Sequence, residues 1–251
     1  MKDKRRRILS AIALLLGFAV VYFIIVLTTV NEVGTDSDLY YSEQVKAGIL
    51  PEAGITEADL QIVDGQLAEY LRGDETALIP GNPFNEREMT HMEDCYNLFV
   101  LLRKVRARLI PWAVVLILGG AYILRDRKRI RLCAWLSPLI LLMPLGAFAL
   151  YAALDFDAAF TLFHRVLFTN DLWLLDPRTD LLIRICPASM FMHMGIRIAV
   201  FSLIGIVAVS AVATALTFIW PRGKEDKNTW KTATRRGPAP RQYDFGKRGT
   251  R

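Results

Sequence analysis

The chain has 251 residues, three cysteines, 53% hydrophobic residues, a mean hydropathy of +0.29 and a formal net charge of +6. Three cysteines cannot build a disulfide scaffold, and a chain this apolar is not a disordered one. The apolar residues come in blocks with the charges between them, so their distribution decides the class.

Residues 1–7 carry five basic side chains and form a short basic N-terminus. Residues 8–30 then run 23 positions without a charge. At about 1.5 Å per residue that is roughly 34 Å of helix, enough to cross a bilayer core of about 30 Å. The run is longer than a signal-peptide core and lacks a small-residue cleavage site at its exit, so it reads as an uncleaved anchor. Residues 31–108 form a long polar segment. Within it, residues 36–41 read as a short strand or amphipathic turn. A helix is expected over 56–71, capped by Thr56 and carrying Leu60, Val63, Leu67 and Leu71 at helical spacing. Pro80, Gly81, Asn82 and Pro83 signal a turn, and a long helix is expected from Asn85. On that helix His91, Cys95, Leu98, Leu102 and Val105 share one face, with Asp94 one turn beyond His91.

A second apolar block, 109–124, is short for a span and is expected to continue the preceding helix. A basic loop at 125–131 leads to the third span, 132–154. Residues 155–197 follow as a second polar or interfacial segment. There Phe156, Phe160, Phe163, His164 and Leu167 form one helical stripe. Asp176 and Pro177 read as the cap and first residue of a helix that ends before Pro187. The fourth span is 198–220. Trp112, Trp135 and Trp220 fall near span ends, where interfacial aromatics belong. Residues 221–251 form a basic tail.

Four spans place both termini on one side. The segments 1–7, 125–131 and 221–251 hold 20 of the 31 basic residues and 5 of the 25 acidic ones, a net of +15, leaving −9 elsewhere. This asymmetry makes the basic side cytoplasmic and the rest extracytoplasmic. The expected architecture is therefore an all-α polytopic membrane protein. Its four transmembrane helices carry an extracytoplasmic, mainly helical cap built from 31–108 and 155–197. Net positive charge does not here imply nucleic acid, because the charge is separated across a membrane. Arg103, Lys104, Arg106 and Arg108 break the rule at the outer entrance of the second span. They read either as snorkelling side chains or as a site for a lipid headgroup.

All three histidines, His91, His164 and His193, lie in the extracytoplasmic segments. His91 and His164 sit on helices that must dock on the same small bundle, so they form a candidate pair. Packed core histidines are the alternative. Zinc held by the histidines and Asp94 is a third reading, although no His-Glu-x-x-His pair is present. No Gly-x-Ser-x-Gly elbow supports a serine hydrolase. Cys95 and Cys186 could pair or react, or rest as inert thiols. A histidine pair in a dry pocket suits proton transfer. Imidazole and an α-amine titrate within about two units of each other, and a second imidazole can donate to an oxyanion. Acyl transfer at a membrane surface fits this chemistry.

Two stretches carry a resemblance: Glu88-Met89-Thr90-His91-Met92-Glu93-Asp94, and residues 163–173 (Phe-His-Arg-Val-Leu-Phe-Thr-Asn-Asp-Leu-Trp) continuing through 176–183 (Asp-Pro-Arg-Thr-Asp-Leu-Leu-Ile). With the four-span layout, they resemble the bacterial membrane family of the lipoprotein intramolecular transacylases (Lit), over roughly residues 5–220. The resemblance implies transfer of the sn-2 acyl chain of a diacylglyceryl-cysteine lipoprotein to its own N-terminal amine, giving the lyso form. It implies His91 and His164 as the catalytic pair, with Asp94, Asn170, Asp171 and Asp180 in supporting positions. The implied partners are a diacylated lipoprotein and membrane lipids in a bacterial plasma membrane. No cofactor or metal is implied, and no oligomeric state. A non-enzymatic lipid-binding or complex-forming membrane subunit is the competing reading of the same cap.

Overall fold

The computed structural model describes residues 2–77, 81 and 83–219. Trp220 and the 221–251 tail lie outside the described residues, as do Pro80 and Asn82 of the expected turn. Among the described residues the secondary structure is ten helices and no strand. The four long apolar stretches are each in helix of membrane-crossing length: Lys4–Gly34, Glu86–Leu124, Arg127–Leu154 and Ala188–Ile219.

Helix α1 (Lys2–Gly34) is the centre of the bundle. It packs along α5 (Glu86–Leu124), with α6 (Arg127–Leu136) and α10 (Ala188–Ile219) on its other sides. The bundle core joins Leu14, Phe18 and Tyr22 to Ala121, Leu124, Cys133 and Ile206. Lipid tails are as apolar as leucine, so such helices associate through close packing. Gly17 and Gly120 provide it. A Cβ on Gly120 would stand 2.8 Å from Leu14 Cγ, and one on Gly17 would stand 2.8 Å from Ile117 Cγ1. Helix α7 (Leu139–Leu154) buries no residue within the bundle and offers its apolar side chains to lipid.

The third span is broken into α6 and α7 at Ser137 and Pro138. Pro138 has no N–H for the carbonyl of Ala134, one turn earlier. The Tyr22 hydroxyl donates to that carbonyl at 2.7 Å and is 2.9 Å from Ser210 Oγ, which joins α1, α6 and α10. In lipid an orphaned carbonyl costs several kcal/mol, so the hydroxyl repairs what the proline breaks.

The cap has its own core. Tyr40 comes from α2 (Ser37–Ala47), and Ala53 from α3 (Leu50–Ala53). Leu60, Val63 and Leu67 lie on α4 (Glu57–Arg72), and Leu181, Leu182 and Ile185 on α9 (Leu181–Ile185). These meet Met92 of α5 and Met190 of α10. Helix α8 (Phe156–Leu167) packs beside α7. The local signals are mostly where expected. Thr56 accepts from Asp59 N, and Asn85 with Glu88 makes a full capping box. Three expectations fail. Residues 36–41 are neither strand nor isolated turn: the Asp36 carboxylate accepts from Leu39 N and starts α2. Asp176 and Pro177 do not open a helix, since α9 starts at Leu181, after Asp180. The basic 125–131 run is a loop only at Arg125 and Asp126, because Asp126 caps α6 immediately. Two helices also outrun their apolar blocks. The block 109–124 is the last part of the 39-residue α5, and α10 begins at Ala188, ten residues before the fourth block.

Candidate active site

His91 and His164 come together where the cap meets the bundle. His91 is on the second turn of α5, and His164 is on the last turn of α8. Their ring centroids are 6.2 Å apart and each residue is only 7% exposed. His164 Nδ1 is 2.8 Å from the Phe160 carbonyl. A carbonyl only accepts, so Nδ1 carries the hydrogen and Nε2 of the neutral ring keeps its lone pair. His91 Nε2 is 3.7 Å from Cys95 Sγ, and its Nδ1 is buried without a partner. A buried polar atom left unpaired in this way is a candidate contact for a substrate.

Aromatic rings surround the pair. Phe160 stands 4.1 Å from His164, Trp173 is stacked on it at 4.9 Å, and Phe163 meets it edge-on at 5.4 Å. Phe168 touches both histidines, 5.1 Å from His91 and 5.6 Å from His164. Burial among these rings lowers the affinity of His164 for a proton, against a weaker opposing effect of the Phe160 carbonyl. Two imidazolium charges 6.2 Å apart would also repel by about 3 kcal/mol at an effective dielectric of about 20. The pair therefore favours at most one proton beyond neutrality. Beyond Phe168 and Trp173 lies a cavity of about 780 Å³.

The supporting residues form a scaffold. Asp94 does not bond His91. It accepts from Asn170 Nδ2 at 2.8 Å and so ties α5 to the loop after α8. Asn170 Oδ1 in turn accepts from Leu172 N, and the Asn170 carbonyl accepts from the Trp173 indole. The Asp171 carbonyl accepts from Arg87 at 2.7 Å. Asp180 is buried, accepting from Asn85 Nδ2 and Asp176 N. These bonds, with one from Thr179, hold its carboxyl below the usual range. Glu88, which sequence patterning leaves unmarked, is fully buried and takes both Asn85 N and Leu182 N. It binds the start of α5 to α9, three residues before His91.

The four basic residues at the α5 span divide. Arg103 is a strap, donating to the Leu71 carbonyl at 2.7 Å and reaching Asn31. Lys104, Arg106 and Arg108 make no hydrogen bond or ion pair among the described residues. His193 is apart from the pair, 2.5 Å from buried Glu43. Among the described residues no group of three or more His, Cys, Asp or Glu side chains is placed to hold a metal. Cys95, Cys133 and Cys186 are free thiols, and burial pushes Cys186 up far above the usual thiol range.

Residues the sequence reading did not single out for the site are Phe168, Trp173 and Glu88. Phe160 and Phe168 flank His164 four residues on either side, and that spacing was a signal for an aromatic sleeve.

A helical membrane protein with a buried histidine pair under a cap is the class that fold and site define. A model of the family "Lipoprotein intramolecular transacylase Lit" matches residues 15–191. The chain therefore belongs to the Lit family, a family of acyltransferases. Solved structures agree on the fold. The membrane-integral lipoprotein intramolecular transacylase Lit from Bacillus cereus matches at a TM-score of 0.58 and 23% identity, over 87% of this chain and 95% of that one. A variant of that protein with one histidine replaced by alanine matches at 0.56 and 22%, over 87% and 93%. A third structure, with a histidine-to-arginine change, matches at 0.56 and 23%, over 87% and 92%. No curated protein matches the chain.

Proposed function

We propose that His91 and His164 carry the transacylation in this chain, on a diacylated lipoprotein, at the outer face of a bacterial plasma membrane. The carrying observation is the complementary hydrogen bonding of the two rings. His164 Nδ1 is spent on the Phe160 carbonyl, which leaves Nε2 as a base. His91 Nδ1 is unspent and supplies a donor. The amine nitrogen of the N-terminal cysteine attacks the sn-2 ester carbonyl and an N–C bond forms. His164 Nε2 takes the amine proton, and His91 donates to the developing oxyanion. The C–O bond to glycerol then breaks, and the proton returns to the leaving oxygen as a hydroxyl. The products are an N-acyl amide and a free sn-2 hydroxyl, with no group gained or lost. Nucleophile and acyl donor are one molecule, so holding them together supplies much of the rate.

The charge distribution supports both termini as cytoplasmic and the cap as extracytoplasmic. Asp94 and Asn170, with Asp171 and Asp180, position the loop that covers His164. Lys104, Arg106 and Arg108 stand unpaired at the end of the α5 span nearest the cap, a fit for lipid phosphates. The test is mass spectrometry of a lipoprotein N-terminus in a host lacking N-acylation. Wild type is expected to yield the N-acyl, S-monoacylglyceryl form, and His91→Ala or His164→Ala to abolish it. An unmodified diacyl lipoprotein beside well-expressed wild type would refute the proposal.

A further inference from the structure

The cavity of about 780 Å³ shares two walls with the histidine pocket. Phe168 and Trp173 line it on one side and pack against His164 on the other. Apart from Leu174, its remaining lining is polar, with Thr161, Arg165, Thr169 and Asp171 among it. Arg165 has no hydrogen bond or ion pair among the described residues. Asp171 bonds only through its backbone carbonyl, so its carboxylate is free of partners there as well. One unpaired cation and one unpaired anion thus line a single depression, one aromatic ring away from the base.

From this geometry we infer that the cavity is the subsite for the free N-terminus of the polypeptide that carries the lipid. Asp171 receives its α-ammonium, and Arg165 the carbonyl oxygens of the residues that follow. The inference rests on the transacylase reading above. An α-amine titrates near ~7.7–8.0, so at neutral pH the substrate arrives mostly as an ammonium. A carboxylate and the face of an indole are the groups that attract one. A phosphate headgroup alone would be repelled by Asp171, whereas a peptide N-terminus offers both a cation and carbonyl acceptors. The cavity collects the charged form, and the buried aromatic pocket beside it favours the neutral form that reacts. Trp173 is fixed between them by its bond to the Asn170 carbonyl.

Binding, rather than turnover, tests this. The probe is a dialkylglyceryl lipopeptide with ether links, which cannot transfer an acyl chain, prepared with a free α-amine and with an N-acetyl group. Its affinity for the full chain in detergent micelles is measured by calorimetry. Wild type is expected to prefer the free amine by about fivefold, the size of an exposed charge pair. Asp171→Asn is expected to bring that ratio to about one while leaving the melting temperature unchanged. Arg165→Gln should weaken both probes equally. Equal ratios in wild type and Asp171→Asn overturn the proposal. So does an effect of both variants confined to binding of phosphatidylethanolamine vesicles, which would mark a lipid-headgroup site. Because the probe does not react, failure of the catalytic reading would leave this discrimination intact while the lipoprotein assay yields no N-acyl product.

Discussion

Asp64, changed to asparagine, is expected to make the protein more stable at alkaline pH. It is 1% exposed in the cap core, and Gln44 is fully buried beside it. Gln44 Nε2 donates to Asp64 Oδ1 and to the Ile185 carbonyl, each at 2.9 Å. Asp64 Oδ2 and Gln44 Oε1 have no partner. Burial, opposed only by the Gln44 bond, pushes the Asp64 carboxyl up to about 6 from an ordinary 3.8. The folded cap thus holds this proton more tightly than the unfolded chain does. Its stabilising contribution is full below about 3.8 and is lost as pH rises through about 6. The shift corresponds to about 3 kcal/mol at pH 8. Asp64→Asn keeps the shape and the acceptor for Gln44 but removes the charge. It is expected to melt roughly 5–10 °C above wild type at pH 8. The two should converge below about pH 4, and the wild type alone should lose stability between about pH 4 and 7. Thermal unfolding in detergent, followed by circular dichroism across that range, measures it. A variant less stable than wild type at pH 8 would refute the account of Asp64 as a buried, poorly compensated carboxylate.

Two further predictions concern the bundle and the pH profile. Gly120→Val should destabilise the α1–α5 contact by about 1–3 kcal/mol through overpacking against Leu14. Gly119→Ala, which meets open space, should leave the melting temperature unchanged. In a lipopeptide assay, the acid limb of kcat/KM should fall below the usual histidine pKa of about 6.5, because burial depresses His164. An acid limb above that value would contradict the neutral, buried base.

The apolar blocks made the four spans legible, since charge-free runs of bilayer length have few other uses. The ends of the helices were not. Hydropathy changes at Leu109 and Ile198 because the surroundings change from lipid to cap, while the helices α5 and α10 themselves continue across those positions, α5 even through Pro111. Residues 36–41 misled because Tyr40 and Tyr41 favour strand, but one carboxylate cap outweighs that preference once α2 can pack on α4. The histidine pair was readable from its helical stripes and its two motifs. Its sleeve was legible only in part: Phe160 and Phe168 flank His164 at helical spacing, but Trp173 reaches it through an irregular turn fixed by Asn170, a contact with no sequence periodicity.

The bond from Tyr22 to Ala134 has a consequence for biogenesis. A hydroxyl in the first span and a bare carbonyl in the third are each costly alone in hydrocarbon, and Ser210 of the last span completes the set. In chain order the first span precedes both of its partners. The first span therefore carries an unmet polar group until the later ones arrive. A chain truncated before α6 would leave that hydroxyl unmet, so the same triad that mends a proline break makes the first span depend on the last two.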